Sequence, residues 1–388
     1  MPLKQIISTS ALLITAIATG ALPCAVKAES TGDVVVKIGF ASPLTGAQAH
    51  LGKDNQNGAQ LAVDEINAAG LIVNGHRVQL QLISEDDAAD PRTGTQVAQK
   101  LVDDGVVAIV GHMNSGVAIP AARIYNDAHI ALLSTASNPG YTRLGYRSAF
   151  RLTATDANQG PALATYAHDV LKAKRIAVID DATAFGLGLA DEFSKAASAK
   201  NIQIISRDAT SDKSVDFRAI LTKIKAQKPD AIMFGGMDAT GGPLARQASE
   251  LGMTIPLLGG DGICTPTMID LAKQAAQRVV CTSVGAPLAS MPRGTAFAHS
   301  YESRFHTPVR FLAPFFYDGV YIVASAMRRA KSTSAPQVLE AIQNTNYDGV
   351  TGHFAYTANG DITDPVITVY TEKDGQFAPA TVMHMAPH

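Results

Sequence analysis

Three short loops in this 388-residue chain carry residue types able to hold a small charged molecule. Gly111-His112-Met113-Asn114-Ser115-Gly116 follows an apolar run and precedes a helical one. Free backbone N–H groups and the positive end of the helix dipole favour an anion there, and Ser115 adds a hydroxyl. Ser134-Thr135-Ala136-Ser137-Asn138-Pro139 closes the next apolar run with short hydroxyls and exposed backbone. A carboxylate between these two loops would rest on N–H and O–H donors alone. Much later, Gly259-Gly260-Asp261-Gly262 sets one acid among glycines, where Asp261 suits an ammonium. Together the loops describe a site for a zwitterion. Singly, each has a plainer reading: a helix cap at Ser115 and Ser137, a turn former at Asp261. Their shared position at strand ends favours binding.

Signatures of conversion are missing. The chain has no GxxxxGK[ST], HExxH or GxSxG, and Gly186-Leu187-Gly188 reads as a helix start rather than a dinucleotide loop. Ten His are scattered, and His112, the one in a strand-end loop, reads as surface or structural. Asp86-Asp87 reads as a solvated turn before Asp90-Pro91. No nucleophile, base and orienting group come together, so the expectation is binding without catalysis, cofactor or metal.

The elements that must position these loops repeat one grammar. Val34 to Phe40 is a β-branched strand, and a helix over Asn57 to Ala69 ends at Gly70. Strands at Arg77 to Ile83, Val106 to Val110 and Ile130 to Leu133 alternate with helices through Val97-Leu101 and Ala118 to Asp127. After Asp156 the pattern restarts. Helices at Pro161–Leu171, Leu187–Ala197, Phe217–Ala226 and Leu244–Leu251 alternate with strands at Arg175–Ile179, Ile202–Ser206, Ala231–Phe234 and Pro256–Leu258. A last unit runs from Met268–Ala276 into Val279-Val280. Two α/β lobes with mostly parallel sheets are expected, with the ligand at the carboxyl ends of strands in a cleft between them.

The length suits two domains, and 46% apolar content excludes disorder. Thirty-two basic against 34 acidic residues give a net charge of −2, which argues against nucleic acid or an anionic membrane as partner. Met1 to Ala28 reads as a secretory leader: Lys4, an uncharged run from Ile6 to Leu22, then Val26-Lys27-Ala28 before cleavage at Glu29. Lipidation at Cys24 and an uncleaved anchor are the rival readings, although Pro23 fits a lipidation box badly and the Ser/Thr content makes a poor membrane span. No other apolar segment is long enough to cross a bilayer. Removing the leader leaves Cys264 and Cys281, either a disulfide or two buried thiols, and export favours the bridge.

Landmarks in order along the chain resemble the branched-chain amino acid (Leu/Ile/Val) binding proteins of bacterial ABC importers. They are Ile38-Gly39-Phe40 with Pro43-Leu44-Thr45-Gly46, Gly58 to Ala62 with Asp64 to Asn67, Asp86 to Pro91, Val110-Gly111-His112 and Ser134 to Pro139. Phe150-Arg151 with Asp156 and Gln159-Gly160 resembles the family's first interlobe crossing, and Thr351 to Phe354 with Asn359-Gly360-Asp361 the last. The resemblance implies a type I periplasmic binding fold with a three-crossing hinge. One lobe would be 29–154 plus 288–346 and the other 155–287 plus 347–388. It implies that Ser115 and Ser137 hold the α-carboxylate, that the carbonyl of Thr135 or Ala136 takes an ammonium hydrogen, and that Asp261 faces the ammonium. Leu51, Phe185 and Met237 fall where the family lines the side-chain pocket or lid, often with aromatics. The first-lobe disulfide of some members is missing, with Ala89 and Asn114 in those places, so a Cys264–Cys281 bridge would lie in the second lobe. A periplasmic monomer that hands its ligand to a membrane permease is implied. A trap for an amide, urea or an aromatic acid, or a ligand sensor for a receptor, is the alternative.

Overall fold

The computed structural model describes residues 1–3 and 33–387. The leader reading, with Cys24 and the cleavage point, lies outside them. From residue 33 onward the chain lays down β1 (Val34–Ser42), α1 (Ala49–Ala69), β2 (Leu71–Val73), β3 (His76–Asp86), α2 (Pro91–Asp103), β4 (Ala108–Gly111), α3 (Ser115–Asp127), β5 (Ala131–Ser134) and β6 (Ala149–Arg151). These strands form one sheet in the order β2-β3-β1-β4-β5-β6, parallel except for the β2–β3 hairpin. Asn74-Gly75 makes that hairpin's two-residue turn, both at positive φ.

The second layer follows with α4 (Asp156–Asp169), β7 (Arg175–Asp180), α5 (Ala184–Ala199), β8 (Gln203–Ala209), α6 (Arg218–Ala226), β9 (Ala231–Gly235), α7 (Asp238–Glu250), β10 (Leu257–Gly259), α8 (Pro266–Ala272) and β11 (Val279–Val284). The chain then returns to the first layer. There α9 (Gly294–Phe305), α10 (Ala313–Ala330) and α11 (Ala335–Gln343) pack on α1, β4 and β5. After the small hairpin β12 (Tyr347–Asp348) and β13 (His353–Phe354), β14 (Val366–Lys373) and β15 (Gln376–His384) join the second sheet antiparallel. Its order is β15-β14-β11-β10-β9-β7-β8.

The cores follow from the strand sequences. Every residue of Ala108–Gly111 and of Ala231–Gly235 is buried, as strands covered on both faces require. Phe40 of β1 meets Phe316 of α10 with ring centroids 5.6 Å apart. Gly58 lets α1 and α10 come this close, since a Cβ there would sit 2.1 Å from the Ala313 carbonyl oxygen.

Helices begin earlier than apolar periodicity predicts: α1 at Ala49 rather than Asn57, α4 at Asp156 rather than Pro161, α7 at Asp238 rather than Leu244. The added turns bury polar side chains: Asp54 and Asn55 in α1, Asp156 and Asn158 in α4, and Asp238 and Thr240 in α7. The solvated turn expected at Asp86-Asp87 is half right. Asp86 accepts from the backbone N–H groups of Leu44 and Ala88, but Asp87 is fully buried.

Candidate functional site

Strand ends of both sheets meet across a small cleft, lined by Ser115, Thr135 and Ser137 from one side and by Phe185, Met237 and Asp261 from the other. On the first-lobe side, α3 opens at Ser115 with its leading N–H groups unpaired within the helix, and Asn138 N–H donates to Ser115 Oγ at 3.1 Å. The neighbouring loop is fastened from within. Ser134 Oγ donates to the His112 carbonyl at 2.6 Å and accepts from Ala136 N–H at 3.0 Å.

Beneath that loop lies Arg151, fully buried. Its Nε donates to Asp361 Oδ1 at 2.8 Å, its Nη2 to the Asn138 carbonyl at 3.2 Å, and its Nη1 to the carbonyl of Ala136. The Ala136 carbonyl is therefore engaged by a guanidinium, and Ala136 does not line the cavity. Among the described residues the Thr135 carbonyl takes only a 3.4 Å bond from Thr153 Oγ1, and Thr135 Oγ1 is buried without a partner. Thr135, Ser115 and Ser137 all line the cavity.

His112 supports this wall from behind. Its Nδ1 lies 2.7 Å from Asp87 Oδ2 and its Nε2 3.1 Å from the Tyr125 hydroxyl. A carboxylate only accepts, so Nδ1 carries hydrogen and Nε2 receives the tyrosine O–H. The structural reading of His112 holds, and Asp87 is its buried partner.

On the second-lobe side, Asp261 follows β10 and is 5% exposed. Gln159 of α4 grips it twice. Asp261 N–H donates to Gln159 Oε1 at 3.0 Å, and Gln159 Nε2 donates to Asp261 Oδ1 at 3.2 Å. Thr282 Oγ1 also donates to Gln159 Oε1, at 2.8 Å, which fixes the amide with its N–H₂ toward the acid. Burial pushes Asp261 up to about 6, against the Gln159 bond. The next residue must be glycine: a Cβ on Gly262 would lie 2.6 Å from the Gly236 carbonyl oxygen and 2.9 Å from the Phe185 ring.

A second acid stands behind the first. Asp156, at the start of α4, also meets Gln159 Nε2, at 3.4 Å, and its Oδ2 has no hydrogen-bond partner among the described residues. Burial, then the charge of Asp261, raise it to about 8. Two such acids cannot both ionise cheaply, so Asp261 loses its proton first. Asp156 and Gln159 escaped the sequence reading as site residues, entering it only as landmarks of the first interlobe crossing.

Phe185 and Met237 line the cavity, whereas Leu51 is fully buried in the core and does not. Phe311 and Leu312 line it too, from the return segment before α10, where no strand end marked them. Asp54 of α1 holds that segment, accepting from the N–H groups of Arg310 at 2.9 Å, Phe311 at 3.0 Å and Ala313 at 3.1 Å. Cys264 and Cys281 form a disulfide, which ties the far end of the Asp261 loop to β11.

Two α/β layers meeting at a small cavity that combines hydroxyls and one acid with apolar side chains define a solute-binding protein. Residues 35–376 match the periplasmic binding protein family, and the chain belongs to it. It is 32% identical over 351 residues to the Leu/Ile/Val-binding protein BraC3 of Rhizobium johnstonii, covering 89% of this chain and 94% of that one. A solved branched-chain amino acid transporter substrate binding protein, LivJ from Streptococcus pneumoniae in complex with isoleucine, superposes with a TM-score of 0.80. It is 26% identical and covers 91% of this chain and 100% of that one. A solute binding protein of an ABC transporter from R. palustris, in complex with benzoate, gives a TM-score of 0.80 at 17% identity, over 91% of this chain and 98% of that one, a likeness of fold alone.

Proposed function

We propose that this protein is the extracytoplasmic solute-binding component of an ABC importer, capturing an amino acid of the branched-chain or another apolar kind and delivering it to a membrane permease. The observation that carries this reading is Asp261: a buried carboxylate facing the Ser115, Thr135 and Ser137 hydroxyls across one small cavity. An α-ammonium neutralises the acid, an α-carboxylate takes the opposite donors, and Phe185, Met237 and Phe311 receive an apolar side chain. The named specificities of the relatives support it. No imidazole or thiol lines the cavity, which favours binding over conversion.

The same reading makes 1–28 an export signal and the working protein a periplasmic monomer. It makes 29–154 with 288–346 one moving body and 155–287 with 347–388 the other. Closure then follows from ligand preferring the closed form, which the permease reads. A plain aromatic acid, amide or urea would leave Asp261 without a cation, a costly arrangement in a buried site.

Calorimetry on protein stripped of ligand by unfolding and refolding tests this. Leucine, isoleucine or valine should bind and benzoate and urea should not. Asp261→Ala should weaken amino-acid binding more than about 100-fold, the effect of unpairing a buried charge. Selective binding of benzoate, or unchanged amino-acid affinity in Asp261→Ala, would discard the assignment.

A further inference from the structure

Apart from the Arg151–Asp361 pair at the crossing, an imidazole and a carboxylate meet across the two lobes. His50, in the first turn of α1, donates from Nε2 to Asp238 Oδ2 at the start of α7 across 2.9 Å. Asp238 is 0% exposed, and within its own lobe it has only Thr265 Oγ1, at 2.6 Å on the same oxygen. Its Oδ1 has no partner among the described residues. Its two ends lie on α1 and α7, helices of different lobes, so opening the cleft would break it. It is also anchored to the cavity on both sides. Gln48, two residues before His50, accepts from Asn114, which lines the cavity, and Met237, which lines it too, precedes Asp238.

We propose that His50 and Asp238 form a closed-state latch that holds the trap shut over its ligand and sets the rate of release. The inference rests on the reading of the cleft as a hinged trap. His50 is a positioning residue, since it does not line the cavity. A bond made in the closed form and absent from the open one shifts the equilibrium toward closure by its full free energy, whatever the ligand. The desolvated carboxylate makes it a strong bond. The imidazole edge stays 26% exposed at the mouth, so opening exposes Asp238 to water without stranding a cation. Another interlobe bond, from Asn138 Nδ2 to the Ala184 carbonyl at 2.7 Å, uses a main-chain acceptor and carries no charge.

Two measurements decide it. The first needs no ligand: the double variant His50→Cys/Asp238→Cys should be joined within the monomer by a short bifunctional thiol reagent that spans the lost side-chain length, and failure to do so would mean that the two positions do not meet. The second is stopped-flow release of leucine. His50→Ala should speed release roughly tenfold with association changed little. Asp238→Asn should do the same, the double variant should be no faster than either single one, and His50→Gln, which keeps an N–H donor, should recover part of the loss. Unchanged release in His50→Ala, or additive effects in the double variant, would overturn the latch. Should leucine fail to bind the unmodified protein, the transport reading falls and the cross-link alone judges the latch.

Discussion

Asp156 and Asp261 are neighbours of the same chemical type with opposite assignments. Asp261 ionises first and faces the cavity, whereas Asp156 keeps its proton to about 8 and sits behind Gln159. Asn is close in shape to a protonated Asp, so Asp156→Asn should bind leucine within about threefold of the unmodified protein at neutral pH, while Asp261→Ala loses it. Equal losses in both would show that Asp156 works as a charge. Ser115, Ser137 and Asp261 were legible in the sequence because each stands in a loop that ends a strand. Asp156 and Gln159 were not, because a polar residue inside a helix start looks the same whether it meets water or another acid. His112 shows the same limit: one imidazole among ten does not announce that Asp87 and Tyr125 wait on either side of it.

Among the elements, strands and the bodies of helices were readable while helix beginnings were not. The missing turns hold Asp54 and Asn55 in α1, Asp156, Asn158 and Gln159 in α4, and Asp238 and Thr240 in α7, all under 4% exposed. Burying polar groups against polar partners erases the apolar period that marks a helix, so periodicity fades where the cleft begins. Neither did alternation reveal that β14 and β15 complete the second sheet, since pairing partners lie far away in sequence. The Cys264–Cys281 bridge belongs to this scale. It closes a separation of 17 residues around the end of the Asp261 loop. Replacing both cysteines with alanine should cost about 3 kcal/mol by denaturant unfolding and also weaken leucine binding. A stability loss with affinity intact would mean the bridge does not hold the loop.

For the whole molecule, buried acids set the response to pH. Burial raises Asp156 to about 8 and Asp181, Asp261 and Asp318 to about 6, against the unfolded value of 3.8. Folded-state protons held above the unfolded pKa give stability that is complete below about 4 and lost as pH rises through 6 and then 8. Carboxylates lowered by their hydrogen bonds, such as Asp90 and Asp216, act below this window. The melting temperature of the ligand-free protein should therefore fall from about pH 5 to about pH 8.5. A flat profile would show that water reaches these acids in the folded state. The interleaved chain course bears on something else, the order of synthesis. The face of the first sheet that carries Phe40 waits for Phe316 on α10, and β11 waits for β14, near the far end of the chain. Neither half can finish early, so a nascent chain of this design stays loose until almost all of it has been made, the state in which a polypeptide can be threaded through a membrane pore.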